Sequence, residues 1–387
     1  MYWLALDGAE MTSRKIGRNE LCWCRSGKKY KNCHYERDHA PHKQPWEIQE
    51  EFRKQRSDKR YCMHALADPS VCSGQIVKAH TIPKRAALTA IAEQGRVYGL
   101  ASDFMSIFKN RGKPTFKKIG TGEASTFTGF CAEHDDHTFA PLEKSSVVPT
   151  DEQCFLMGYR ALCREFFAKE LMFEGIAIVR NLDQGTPIEV QATTQWIANL
   201  AELGSFKGLA QLQRHKTLHD KMLTERAWHL YRRWVVHFDS VPDVLASGAF
   251  CPEFDFRGQR LQHLVDAKSL GYMAITILPA GTGGVAVLGW ERESDPVCIP
   301  FVESLAVFSK ERLANAIVRL VFEYIENTFS RPSWWESLSH QTVEMLSRRM
   351  SSGATGLRKP ESLTEDNFDY ANWPVSSIEK HIPSVAG

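Results

Sequence analysis

Between Cys22 and His34 the chain places four soft ligands on thirteen residues. Cys22 and Cys24 flank one residue, Cys33 and His34 are adjacent, and a basic turn, Ser26-Gly27-Lys28-Lys29-Tyr30, lies between the two pairs. A closed tetrahedral zinc site asks for four N or S donors within reach of one ion. The apolar residues around them are too few to build a core, so metal must supply the free energy that folds the segment. No other feature of the sequence restricts local structure as tightly. The first expectation is a zinc-held module over residues 14–35 with Cys22, Cys24, Cys33 and His34 as ligands.

Residues 17–34, Gly-Arg-Asn-Glu-Leu-Cys-Trp-Cys-Arg-Ser-Gly-Lys-Lys-Tyr-Lys-Asn-Cys-His, resemble the SEC-C motif found at the C-terminus of the SecA translocation ATPase and in many otherwise unrelated bacterial proteins. That motif usually carries Pro between its first two cysteines and Gly after the second; here Trp23 and Arg25 stand at those positions. In SecA it is a docking surface for a partner protein and the ribosome. The resemblance therefore implies a recruitment module and not a catalytic one.

The length of 387 residues allows roughly two or three domains, and a 43% apolar content is ample for their cores. A net charge of +2 says nothing about nucleic acid for the chain as a whole. Residues 1–60, however, hold fourteen Lys and Arg against nine Asp and Glu. That basic footprint suits phosphate, an acidic partner, or plain solvation of a small module. No run approaches the ~18 apolar residues of a membrane span. Met1–Ala9 lacks the basic flank and the length of a signal peptide, and Met11 is an alternative initiator. A cytoplasmic protein without a membrane partner is expected. Ten cysteines there read as metal ligands and buried thiols more readily than as disulfides. Cys154, Cys163, Cys251 and Cys298 are scattered and expected to be inert core residues.

A second constellation lies between Tyr61 and Glu143. Cys62 and Cys72 precede Val77-Lys-Ala-His80-Thr-Ile-Pro83, and Gly129-Phe-Cys131-Ala-Glu-His134-Asp135-Asp-His137 follows about fifty residues later. Cys-x2-His on the first turn of a helix aims two ligands at one ion, and an earlier cysteine pair can close the site. Cys62, Cys72, Cys131 and His134 thus form a candidate treble-clef set for a second zinc. His80 could replace one of these cysteines as a ligand, or be a buried hydrogen-bonded residue, and His64 could be recruited instead.

The same stretch resembles HNH endonucleases of the McrA-like branch, which carry a zinc-stabilised ββα fold. The resemblance implies that His80 is the general base activating water for attack on a phosphodiester. It places Asp135 or His137 as ligand to a catalytic divalent cation such as Mg2+ or Mn2+. Ala79 stands where most such sites have a metal ligand, residues 120–130 contain no Asn, and residues 91–128 form an insertion longer than a compact hairpin requires.

Elsewhere the signals are structural. Residues 36–60 read as a charged linker and short helix, making the first module a tethered appendage. Residues 152–175 and 193–238 have helical spacing, with His215 and His219 on an exposed polar face and Trp228, Tyr231, Trp234 and Val235 as a packing stripe. Residues 272–290 read as a β-hairpin, residues 301–348 as helix, and residues 351–387 as a flexible tail. The expected fold class is α+β and multidomain. It comprises the zinc module (14–35), the linker (36–60), an HNH-like treble-clef domain (61–150), and a C-terminal domain (151–350) of helices around a small antiparallel sheet. The functional expectation is a zinc protein acting on nucleic acid, in the leading case a metal-dependent nuclease of a defence or mobile-element type. The alternative is a non-enzymatic adaptor that docks a partner protein or ribosome.

Overall fold

An eight-stranded antiparallel sheet dominates the C-terminal half of the chain and recruits strands from well outside it. The computed structural model describes residues 16–101, 103–110, 115–265, 269–355 and 358–382. The choice between Met1 and Met11 as initiator falls outside these residues. The chain is a mixture of helix and sheet, and it divides into two compact units that interleave in sequence. One comprises residues up to Lys59 with Asp103–Phe108 and Ala168–Ala210; the other comprises Arg60–Ser102, Lys109–Phe167 and the residues from Gln211 onward. These boundaries differ from the five consecutive segments expected above.

The smaller unit is helical. Helix α1 (Pro45–Asp58) starts with proline at its first turn, and the Glu47 carboxylate accepts the Gln44 N–H at 2.6 Å, which satisfies a donor the helix cannot. Phe52 stacks on Phe104, and Gln55 donates to the carbonyl of Leu171. Lys59 closes the helix end against Glu170 and Glu174. Two long helices also contribute: α3 (Asp151–Arg180) through its last part, and α4 (Ile188–Thr224) through its first. They are joined by a single turn of 3-10 helix, Asn181–Asp183. Arg180 reaches Gln195, Asn199 and Glu202, so the two run antiparallel as a helical hairpin. Helix α2, which lies earlier in the chain (Ala132–Thr138), belongs to the larger unit.

In the larger unit the sheet order is β10-β5-β8-β7-β6-β9-β2-β3. Its strands are β2 (Arg96–Ala101), β3 (Thr115–Gly120), β5 (Arg232–Phe238), β6 (Val244–Phe250), β7 (Met273–Ala280), β8 (Gly283–Trp290), β9 (Thr328–Ser330) and β10 (Val375–His381). β7 and β8 form a hairpin in the place where sequence alternation locates one. A separate two-stranded sheet pairs β1 (Ile76–His80) with β4 (Thr126–Cys131), in register from Ile76 opposite Cys131 to His80 opposite Thr126. Helix α5 (Asp295–Ser304), helix α6 (Lys310–Tyr324) and helix α7 (His340–Thr355) complete the unit. α6 is buried along most of its length, from Leu313 to Glu323.

Four expectations are corrected here. Residues 61–150 do not make a self-contained domain: β1 and β4 pair with each other, whereas β2 and β3 join the large sheet. The long insertion at 91–128 is the pair of strands lent to that sheet, which is correspondingly not small. Residues 193–238 are not one helix, because α4 ends at Thr224 and Arg232–Phe238 is an interior strand. An interior strand is buried on both faces and shows no alternation, so its apolar run is easily read as helix. Arg232 at the start of that strand is buried and paired with Asp295 at 2.9 Å. Finally, residues 351–387 are not a featureless tail: α7 extends to Thr355, and β10 pairs with β5. β10 lies at the sheet edge with mostly exposed side chains, so backbone hydrogen bonds hold it and no apolar period marks it.

The His215 and His219 pair is also misplaced by the sequence. Both are buried, with His215 set between the Glu291 carboxylate and the Leu270 carbonyl at 2.8 Å each. Cys154, Cys163 and Cys298 are buried and Cys251 is half-buried, and all ten cysteines are free. Burial pushes the Cys154 and Cys163 thiols up to about 12.

Candidate metal centres

The first centre is built on a tight knuckle. The Cys22 N–H donates to Lys28 O at 2.8 Å, and Arg25 N–H folds back to Cys22 O. That fold puts Arg25 in the left-handed region at φ 63. A non-glycine residue there costs about 1 kcal/mol, which gives a physical reason for the glycine this motif usually carries. Trp23, in place of the usual proline, lays its indole 4.5 Å from the His34 ring.

The donor atoms of Cys22, Cys24, Cys33 and His34 all lie within 4.8 Å of one another. His34 Nδ1 is 3.2 Å from both Cys22 Sγ and Cys33 Sγ, and Cys24 Sγ is 3.5 Å from Cys33 Sγ. Zinc bonds of roughly 2.3 Å to sulfur and 2.0 Å to nitrogen give tetrahedral edges of about 3.5–3.8 Å, so this donor set fits the ion. Hydrogen bonding between the Cys22 and Cys24 side chains pushes the Cys22 thiol up and lowers Cys24 to about 3, so the pair already favours one thiolate. A ligand set must lose its protons to bind zinc, and Cys24 is the member disposed to do so.

A residue far away in sequence completes this centre. Asp183, fully buried in the turn between α3 and α4, accepts from His34 Nε2 at 2.9 Å, Arg37 Nε at 2.6 Å and Gln195 Nε2 at 2.6 Å. Burial would raise its pKa, but the bonds from His34, Gln195 and Arg37 outweigh burial and hold the carboxyl below its ordinary range. With Nε2 committed to Asp183, Nδ1 of His34 faces the three sulfurs. Such a carboxylate behind a histidine sets ring orientation and strengthens the ligand. The chain leaving the knuckle is seated on the same turn: Gly185 N–H donates to Arg37 O at 3.0 Å. Gly185 has φ +73, and a Cβ there would stand 2.6 Å from Ala40 O, so only glycine permits the approach. The module is thus docked within the smaller unit and is not the tethered appendage that its polar linker implied.

The second centre is assembled at one end of the β1–β4 pair. Cys131 ends β4 and caps α2, accepting the His134 N–H at 3.5 Å, which throws His134 back toward the cysteine. Cys62 arrives on a segment that runs beside β4, where Met63 N–H donates to Gly129 O at 3.0 Å. Cys72 comes from a turn set by the Asp68 side chain, which accepts from Ser70 N–H. His134 Nδ1 lies 3.3, 3.4 and 3.6 Å from the sulfurs of Cys131, Cys62 and Cys72, and all four donors fall within 4.8 Å. The structure therefore brings together the four residues that the spacing grouped, and they too fit a tetrahedral ion.

His64 is not among those donors; it stacks on the His134 ring at 4.1 Å, and burial lowers its pKa to about 4. His80 is at the opposite end of β1 from Cys131's partner Ile76 and is not a ligand either. Its Nε2 donates to Thr121 O at 3.1 Å, and burial lowers its pKa. Asp135 pairs with the buried Arg160 guanidinium at 3.0 Å, together with Glu143 at 2.7 Å. His137 is 73% exposed and meets Glu133 at 3.2 Å. Among the described residues no metal-competent group contains His80, Asp135 or His137. The expected catalytic cation site is corrected accordingly: the Asp135 carboxylate neutralises an arginine that could not otherwise be buried, and His137 points to solvent.

Residues 18–36, the span of the first centre, match the SEC-C motif. Comparison with curated proteins and with solved structures found no match. Two Cys/His clusters able to hold zinc are present, and no helix of the described residues is long and apolar enough to cross a membrane. Asp183 escaped the sequence reading, and His64, weighed there as an alternative ligand, stacks on the ligand histidine instead. Asp183 is 149 residues from His34 and carries no local motif.

Proposed function

We propose that this protein is a zinc-held adaptor in which both metal centres are structural and the SEC-C module supplies the docking face. The observation that carries this reading is the donor count: each cluster offers four N/S donors, enough to fill every position of a tetrahedral ion. Catalytic zinc keeps one position open, and structural zinc does not. Outward from the first centre, Arg25, Lys28, Lys29 and Lys31 are exposed around an exposed Leu21. A basic rim with an apolar contact suits an acidic surface on a partner protein or the ribosome.

The nuclease reading rests on the order β1, β4, α2 around the second centre, which follows the ββα succession of HNH proteins. It would need His80, Asp135 and His137 to face one phosphodiester and a divalent cation, and the partners of Asp135 and His137 oppose that. The two readings separate in one pair of assays. Retention on ribosomes or on a client, lost when Lys28 and Lys29 become Glu, supports the adaptor. Nicking of plasmid or single-stranded nucleic acid that needs added Mg2+ or Mn2+ and disappears in His80→Ala would replace it with the nuclease.

A further inference from the structure

The first half of α4 carries an apolar face that nothing in its own unit covers. Trp196 is 49% exposed, Leu200 40%, Leu203 53% and Phe206 64%, with Val190 and Ile197 beside them at 46% and 49%. On the opposite side of the same helix Gln191, Gln195, Ala198 and Ser205 are buried against the unit. A helix seated by one face ordinarily has a polar outer face. A contiguous apolar stripe about 24 Å long, in place of that polar face, is the mark of an interface.

Two further features of the stripe point to what covers it. Gly204 lies in the helix interior, and a Cβ there would meet nothing within 4 Å. Glycine at an exposed helical position costs roughly 1 kcal/mol relative to alanine, and no intramolecular contact explains it. Close approach of another backbone does. The second feature is charge. Glu189 and Lys207 both lie on the centre line of the stripe, one at each end, and neither has an ion-pair partner among the described residues.

We infer that this face binds the same face of a second copy of the chain, with the two α4 helices antiparallel about a two-fold axis near residue 198. Two-fold pairing needs a self-complementary surface, and this one is self-complementary at each level. Glu189 falls opposite Lys207 of the second copy at both ends. Leu203 falls opposite Thr193, Gly204 opposite the small Ala192, and Trp196 interleaves with Leu200 at the axis. Gly204 against Ala192 lets the helices close to the 8–10 Å typical of packed pairs. One helix pair lies at the small end of stable interfaces, so the expected dissociation constant is roughly micromolar. This inference is independent of the adaptor reading.

Sedimentation equilibrium of the zinc-loaded full chain from about 1 to about 100 μM tests it. A monomer–dimer equilibrium is expected, with Leu203→Glu monomeric throughout and Gly204→Leu weakened at least about tenfold. Both positions are exposed, so circular dichroism should show unchanged helix content. Glu189→Lys should weaken association about tenfold, and the double variant Glu189→Lys/Lys207→Glu should recover it, since charge exchange restores the pairing only in the antiparallel register. A wild-type monomer at the top of the range would overturn the inference. So would a dimer indifferent to Leu203→Glu, or a charge exchange that fails to rescue.

Discussion

The two candidate metal centres offer the same donor set, three cysteines and one histidine, and are built in opposite ways. In the first, all four ligands come from thirteen consecutive residues, and one knuckle turn brings them together. In the second, 72 residues separate Cys62 from His134, and the ligands converge only when β1 has paired with β4 and α2 has started. The local centre nonetheless depends on a distant residue, because Asp183 orients His34. The distant centre takes its histidine from the helix turn next to Cys131. A short ligand span limits what the metal must organise, but it does not make the site independent of tertiary structure. A long span makes the metal a clamp on folding of the unit that contains it.

The largest effect should come from the second clamp. Cys131→Ser is expected to remove one zinc equivalent by elemental analysis and to cost at least about 3 kcal/mol of stability by calorimetry. Cys22→Ser should also remove one equivalent, yet leave hydrogen exchange in the large sheet unchanged. If the two variants destabilise the same residues to the same degree, the contrast between local and distant assembly fails.

A lesion in the larger unit that spares its ligands sharpens the contrast. Glu323 on α6 is buried with Arg349 and Arg358 nearby at 3.8 and 4.0 Å. Burial pushes its pKa up to about 7, against the pull of Arg358 and Arg349. The folded chain therefore keeps a proton that the unfolded chain has released, so stability falls as pH rises from about 4.5 to about 7. Glu323→Gln should abolish that slope, worth up to about 3 kcal/mol, with metal content unchanged. A slope that survives the substitution would assign the pH dependence to other groups.

Asp183→Asn tests the remote support of the local centre. Competition against a chelator should show zinc held about 10- to 100-fold less tightly at the first centre only. An affinity equal to wild type would reduce Asp183 to a packing residue. The smallest effect is expected for His137→Ala. With the ring exposed and its only ion pair on the surface, stability should change by less than about 0.5 kcal/mol and metal content not at all. Loss of a metal equivalent there would reopen the case for a cation held by α2.

Both donor sets were legible as residue types and spacings because zinc chemistry admits few alternatives to Cys and His. Where a side chain ends up facing was not legible. Asp135 and His137 sit at spacings a metal could use, but Arg160 claims the one and solvent the other. His215 and His219, four apart and flanked by Lys216, read as a polar surface; Glu291 and Leu270 supply the partners that let His215 be buried. Strand β10, with its exposed Glu379 and Lys380, has no apolar signature because its stability comes from pairing with β5.

The sequence by itself determined the composition of both donor sets, the β7–β8 hairpin and the helical character of residues 152–175. Each depends on chemistry or periodicity confined to one or two short stretches. Only the tertiary structure decided that β2 and β3 leave the second centre for the large sheet, that Asp183 stands behind His34, and that the outer face of α4 is left apolar. These outcomes depend on which surfaces meet after local structure has formed. Burial, hydrogen-bond satisfaction and charge pairing between residues far apart settle that choice, and no short window of sequence contains both partners.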